Sequence, residues 1–166
     1  MIEKKKRTEI ITPEKALLKA RAYCAYQERC QQEVRDKLYE WEQRKTVAES
    51  IIVQLITENF INEERYAIVF AGGKFRIKKW GRIKIKLALK KHHISEYCIQ
   101  KALSEIDNSD YVAMIRKIIL QKVIEKKQKY SLKQQYRIAQ YLISKGFESD
   151  IVWEEMRNCL DSFSDM

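Results

Sequence analysis

The chain has 166 residues and a formal net charge of +10, with one proline and four glycines. So little Pro and Gly excludes a β-sandwich, a collagen-like stretch and a Gly/Ser linker, and the abundant Lys, Arg, Glu, Gln, Leu and Ala are good helix formers. No apolar run approaches the roughly 20 residues that span a bilayer, and the charged start at Lys4, Lys5, Lys6 and Arg7 lacks the apolar stretch of a secretory signal, so a cytoplasmic protein without membrane attachment is expected.

Thr12-Pro13-Glu14 reads as a helix start, with Thr at the cap, Pro at the first helical position and Glu in the first turn. The helix that follows carries Leu17, Ala20 and Cys24 on one face, with Tyr23 beside them. A second helix is expected over Gln32 to Glu42, with Val34, Leu38 and Trp41 inward. Thr46 and Glu49 have capping-box spacing for a third, in which Val47, Ile51 and Leu55 face the core, with Ile52 a further candidate. Asn62 is placed to cap the next helix, Glu63 to about Lys78, where Tyr66, Val69 and Phe70 share a face. Gly72-Gly73 interrupts it as a kink, a close helix contact or a helix end. Gly81 marks a turn. Residues 82–90 then alternate with period two, the local signature of a strand; the internal repetition described below argues for a helix over 82–91 instead. Ser95 caps a third helix of this group, up to Ile106. Asp107-Asn108-Ser109-Asp110 is a boundary, followed by a long helix to about Lys127 that uses Val112, Ile115, Ile119 and Val123. Ser131 with Gln134 makes another capping box, Lys145-Gly146 reads as a helix stop, and Ser149 is expected to cap the last helix.

Three helices thus recur three times. Leu89, Ile94, Ile99 and Leu103 are spaced five, five and four apart, and Leu142, Phe147, Val152 and Met156 repeat that spacing 53 positions later. Leu38, Ile51 and Leu55 make a looser first copy, with three extra residues between the first two. Units this short bury their apolar stripes against neighbours. The expected fold is therefore all-α, three tandem three-helix repeats over 12–61, 62–107 and 108–166, forming an elongated monomer.

The charge is unevenly placed. Residues 72–101 hold ten basic groups against one acidic group, Glu96, while the flanking regions mix the signs almost evenly. Such a block repels itself unless a polyanion offsets it. Nucleic acid, single-stranded or double-stranded, is the expected polyanion, because no strongly apolar face accompanies the charge as a membrane surface would require. The candidate contacts are Lys74, Arg76, Lys78, Lys79, Arg82, Lys84, Lys86, Lys90 and Lys91. Lysines outnumber arginines, which suits phosphate contacts better than bidentate base recognition. Phe75 and Trp80 lie within the block, placed either to stack on exposed bases or, for Trp80, to cover the end of a packed helix.

Chemistry of other kinds finds no support in the residues. His92-His93 are adjacent, so they point to different faces of a helix and read as an exposed turn. Cys24, Cys30, Cys98 and Cys159 have no metal-ligand spacing, and Cys24 and Cys98 fall at core positions. Phosphate loop, nucleophile elbow and dinucleotide fingerprint are all missing. No catalytic residue, metal site or cofactor is expected.

Three stretches carry a family resemblance. Residues 29–38, Arg29-Cys30-Gln31-Gln32-Glu33-Val34-Arg35-Asp36-Lys37-Leu38, are similar to an Arg-Ser-x-x-Glu-Leu-Arg-x-Lys-Leu motif. Residues 60–67 resemble a turn motif of apolar-Asn/Asp-Asp-x-x-Tyr/Phe-Ala type. Gly81-Arg82-Ile83, Leu89, Ile94 and Ala102-Leu103 fit the same family's second-unit pattern. The family is RecX, the regulators of the RecA recombinase. The chain departs from its pattern in Cys30 for Ser, Glu63 for Asp, His93 for Gly, and a first-unit turn, Glu42 to Lys45, that reads as longer and more charged. The resemblance implies a non-enzymatic regulator built of tandem three-helix units. Such a protein lies in the groove of the RecA–DNA filament and suppresses ATP hydrolysis, strand exchange and the repressor cleavage of the SOS response; in a few members the effect is stimulatory. It also implies that Arg29, Arg35 and Lys37 either face a RecA subunit or support the fold. Charge and helices alone leave a second reading open, a free-standing, sequence-independent nucleic-acid-binding module.

Overall fold

The computed structural model describes residues 11–124 and 131–164, with the side chains of the last helix described through Cys159. The basic start at Lys4 to Arg7 and the expected extension of the seventh helix to Lys127 lie outside the described residues. Those residues form α1 (Pro13–Tyr26), α2 (Gln31–Glu40), α3 (Lys45–Thr57), α4 (Glu63–Lys78), α5 (Arg82–Lys91), α6 (Glu96–Ser104), α7 (Asn108–Ile124), α8 (Leu132–Ser144) and α9 (Ser149–Ser164), with no strand among them. The fold is all-α, three helices three times over. It packs as two compact units, one up to Tyr66 and one from Ala67 onward.

Local chemistry explains most helix starts. Thr12 Oγ1 accepts from Lys15 N, Asn62 Oδ1 from Arg65 N and Ser95 Oγ from Cys98 N, and Ser131 with Gln134 forms the expected capping box. A second box starts α2, where Cys30 Sγ accepts from Glu33 N at 3.5 Å and Glu33 Oε2 accepts from Cys30 N at 3.1 Å. Sulfur thus does what the family's Ser hydroxyl would do. Burial pushes that thiol up to about 11, so it stays protonated. Two expected caps are displaced. α3 begins at Lys45, with Arg44 at its cap position and no side-chain cap bond, because Glu49 is drawn away to Arg35. α9 already includes Ser149, and Glu148 O receives the first helical bond, from Val152 N.

The second helix of each repeat ends in one way. Glu42, His93 and Gly146 adopt left-handed φ values of 57, 58 and 90°. The next residue's N–H then reaches back to a leucine carbonyl: Gln43 to Leu38 (3.0 Å), Ile94 to Leu89 (3.2 Å) and Phe147 to Leu142 (3.2 Å). These are Schellman caps, and they set the register of the repeats. Leu38, Gln43, Ala48 and Ile52 match Leu89, Ile94, Ile99 and Leu103 with no extra residues, and the turn before the third helix has one length in all three repeats. The longer first-unit turn and the three-residue insertion expected from sequence are therefore absent. Gln43 holds the place of Ile94 and Phe147. It is only 8% exposed, and its amide donates to the carbonyls of Ile11 (2.7 Å) and Trp41 (3.1 Å), which satisfies a polar group in a core position.

The first unit has its own core, in which Ala16, Ala20, Val34, Leu38, Ala48, Ile52 and Leu55 are buried together. In the second unit α4 contributes Ala67, Ala71 and Phe75 to the interior, while Val69 is exposed and Phe70 half-buried; the small alanines had hidden this face. Gly72 and Gly73 lie inside the continuous α4 and do not end it. Phe75 from α4, Tyr111 from α7 and Phe147 from the α8–α9 turn stack in series, with centroids 5.7 and 5.2 Å apart. The second and third repeats therefore share one core. Their backbones also touch: Gly81 N donates to Lys145 O (2.9 Å) and Ile83 N to Gly146 O (3.0 Å).

Candidate nucleic-acid interface

The α4–α5 corner gathers the basic block. α4 ends in Arg76 and Lys78 and α5 in Lys90 and Lys91, cations that each helix dipole favours at its C-terminus. Lys79 turns the chain with φ 53°, Trp80 N closes α4 on Lys74 O at 3.2 Å, and Gly81 caps α5. The half-buried Trp80 ring ends between two lysines, Lys74 Nζ at 5.1 Å and Lys84 Nζ at 4.9 Å from its centroid. Lys74 Nζ also lies 5.0 Å from the Phe70 ring, which has the half-buried His92 at its edge (5.7 Å). His93 is exposed.

Pairing divides the candidate residues. Among the described residues no carboxylate lies within ion-pair distance of Lys74, Arg76, Lys78, Lys79, Lys84 or Lys91. Lys86 and Lys90 share Glu96, at 2.5 and 3.3 Å. Hydrogen bonds from Lys86 and Gln100 lower the Glu96 carboxyl to about 2. Arg82 is committed to the junction of the second and third repeats. Its guanidinium lies 4.0 Å over the Tyr111 ring, donates to Ile106 O (3.2 Å) and Asn108 Oδ1 (2.7 Å), and sits 3.9 Å from Glu148. Phe75 is 6% exposed and stacked on Tyr111, so it offers no face to a base. Trp80, half-buried between α4 and α5 in sequence, keeps part of its ring open to a ligand, and Tyr97 on α6 is 70% exposed.

α5 explains the misleading alternation. Ile85 and Leu89 point inward, while Ile83 and Leu87 are 48% and 57% exposed. Two apolar stripes on one helix, offset by two residues, mimic the period of a strand. The outer stripe borders an open groove of about 640 Å³, lined by Arg82, Ile83, Lys86, Gln100, Leu103 and Glu148 among others.

In the first unit the three candidate cations have partners. Arg35 is held by both Glu49 oxygens (2.6 and 3.1 Å) and by Gln32 (3.1 Å), which lowers the Glu49 carboxyl. Arg29 lies 4.1 Å over the Tyr23 ring and 3.8 Å from Glu33, and Lys37 pairs with Glu40 at 2.6 Å. Cys24, Cys30, Cys98 and Cys159 are all buried. No group of three or more His, Cys, Asp or Glu among the described residues is disposed to hold a metal, and no described helix is long and apolar enough to cross a membrane.

Sequence reasoning missed Tyr111, Glu148 and Gly146 as the groups that set this surface. Tyr111 is fully buried; its hydroxyl accepts from Arg82 N (3.0 Å) and donates to Glu148, and so fixes the start of α5. The signal in the sequence was slight, one glycine at each of the two turns that meet.

A family profile described as "RecX, second three-helix domain" matches residues 62–103, the basic repeat. Among relatives, the regulatory protein RecX of Clostridium acetobutylicum is 31% identical over 134 residues, 78% of this chain and 60% of its own length. That of Streptococcus uberis is 33% identical over 131 residues, 78% of this chain and 50% of its own, so the chain spans little more than half the length of the relatives it matches. The crystal structure of RecX from Lactobacillus salivarius superposes with a TM-score of 0.79 at 26% identity, covering 89% of this chain and 96% of that one. A second RecX crystal structure, at 21% identity and a TM-score of 0.75, shares the fold. Profile, relatives and solved structures converge on the repeat pattern seen in both sequence and fold, and the chain belongs to the RecX family.

Proposed function

We propose that the protein regulates the RecA recombinase, as an inhibitor, by binding the RecA–DNA filament in its groove through the basic surface of the second repeat, and so restrains recombination and DNA repair. The relatives that it resembles are regulatory proteins by name. The observation that carries the reading is the set Lys74, Arg76, Lys78, Lys79, Lys84 and Lys91, which no described carboxylate pairs, displayed along α4, α5 and the turn between them in a chain whose other regions nearly balance their charge. Such a set gains free energy only from a polyanion, by releasing the counterions condensed on it, and a nucleoprotein filament is one. Nothing in this role requires chemistry by the protein itself; it acts by occupying the filament.

The test is ATP hydrolysis by the cognate RecA on single-stranded DNA, with this protein well below RecA in concentration. A fall in rate, together with co-sedimentation with filaments in preference to free RecA, is the expected result. Folded protein that binds DNA but neither sediments with filaments nor changes the rate would leave the free-standing nucleic-acid-binding module instead.

A further inference from the structure

The lysines around Trp80 differ from the other paired cations of this protein. Lys74 comes from α4 and Lys84 from α5, and both ammonium groups are brought to one indole. Lys86 and Lys90 share the one carboxylate of Glu96 and Lys37 is paired with Glu40, but no described carboxylate reaches either lysine beside Trp80. Two like charges at one ring repel each other, and the ring's quadrupole offsets only part of that. The arrangement is held by rigid elements: Trp80 N is bonded to Lys74 O, and the backbone of Lys84 is wedged against Gly146. Trp80 is also spare to the core, whose aromatic stack is Phe75, Tyr111 and Phe147. At the N-terminus of α5, Arg82 N and Ile83 N are already bonded to Tyr111 Oη and Gly146 O and so are not free to take an anion.

We propose that Trp80, Lys74 and Lys84 form a binding site for one nucleotide unit of single-stranded nucleic acid, the two ammonium groups taking the phosphodiester and the indole taking the unpaired base. The proposal deepens the function given above, since it names the ligand of that basic surface, and it is testable without RecA. A phosphodiester between the lysines relieves their repulsion and draws them off the ring, which uncovers the indole face. Duplex DNA supplies the phosphate but keeps its bases stacked on one another, so only a single strand uses both halves of the site. Stacking on an aromatic side chain is worth about tenfold in affinity per base.

The experiment uses the full chain with Trp41→Phe and Trp153→Phe, leaving Trp80 as its one indole. Its fluorescence is titrated with an oligothymidylate, with a duplex of equal length and with inorganic polyphosphate. Saturable quenching by the single strand is expected, weakened by salt and not matched by duplex or polyphosphate. Lys74→Gln and Lys84→Gln should each flatten the slope of log affinity against log salt by about 0.7. Variants at Trp80 lack the indole and are read instead by fluorescence anisotropy of a labelled oligothymidylate or duplex: Trp80→Leu should weaken the single strand about tenfold and the duplex little; should that variant misfold, Trp80→Tyr keeps a ring and should retain most of the affinity while both lysine variants still lose it. Equal quenching by duplex and single strand, or an unchanged salt slope in both lysine variants, would overturn the site. Inhibition of RecA that survives the loss of quenching overturns this site alone, whereas quenching without any effect on RecA overturns the regulatory reading alone.

Discussion

Gly146 stands where the second and third repeats meet, and its replacement by alanine tests how they are joined. A Cβ at Gly146 would lie 2.3 Å from Lys84 Cβ and 2.5 Å from Lys84 N, and a Cβ at Gly81 would lie 2.1 Å from Gly146 O. Neither obstacle is the flexible end of a side chain, so the overlap is relieved only by parting the two turns. An L-residue in the left-handed region costs roughly 1–2 kcal/mol. Parting the turns forfeits the bonds from Gly81 N to Lys145 O and from Ile83 N to Gly146 O, at about 0.5–1.5 kcal/mol each. Together these give a loss of about 2–5 kcal/mol. At about 3 kcal/mol, and about 4–8 °C per kcal/mol for a unit near 100 residues, the midpoint of its thermal transition should fall by about 12–24 °C. The control is His93→Gly. His93 occupies the same place in the second repeat with φ 58°, so if φ alone mattered, glycine there should help and alanine at Gly146 should cost only the φ term. Calorimetry or circular-dichroism melts of Gly146→Ala, Gly81→Ala and His93→Gly decide it. Gly146→Ala melting with the parent protein would refute the close-approach argument; a drop no larger than His93→Gly gains would reduce it to backbone strain.

Tyr111→Phe should destabilise the second unit by about 1–3 kcal/mol, because it strips Arg82 N of its acceptor and Glu148 of its donor; a urea midpoint that does not move would show that water replaces the hydroxyl. Gly73 has nothing within 4 Å of an added Cβ and lies inside α4, so Gly73→Ala should stabilise by about 0.5–1 kcal/mol, and a lower melting temperature would refute the open-face geometry. The Glu96 carboxyl, lowered to about 2 from 4.5, keeps its bridge to Lys86 and Lys90 as pH falls through 4.5 and loses it only near 2; an NMR titration with a midpoint near 4.5 would dissolve that bridge. Its replacement, Glu96→Gln, releases two lysines and should steepen the salt dependence of single-strand binding by about 0.7 for each one that reaches a phosphate, where an unchanged slope would place the nucleic acid away from α5. Removing residues 108–166 takes Tyr111 and Phe147 from Phe75, so the second repeat should lose its cooperative transition; a truncated chain that melts as high as the intact one would show that the repeats share no core.

What the sequence determined by itself is what local forces decide. Apolar spacing and the capping groups Thr12, Asn62, Ser95 and Ser131 act within one turn of their own helices, so the all-α class, the threefold repetition and most helix starts were legible. The concentration of charge in residues 72–101 was equally plain, since composition needs no coordinates. Tertiary structure decided the rest, in each case because a distant partner outweighed a local preference. Glu49 has capping-box spacing to Thr46, yet a bidentate bond to Arg35 across the α2–α3 pair wins it. The first repeat keeps the register of the others, but Gln43 and Ala48 stand where large apolar residues were sought, and the carbonyls of Trp41 and of the distant Ile11 make a buried amide acceptable there. Ile83 and Leu87 could not be assigned outward by period alone, because a second apolar stripe is indistinguishable from the first until one of them packs. Which cations remain available also depends on folding: Arg82 and Lys84 are two residues apart, but Tyr111, Asn108 and Glu148 gather around the guanidinium of the first, whereas the ammonium of the second lies over the Trp80 indole with no described carboxylate in reach. Gly146 reads as a helix stop like any other, and it is the backbone of Lys84, 62 residues away in sequence, that makes glycine necessary.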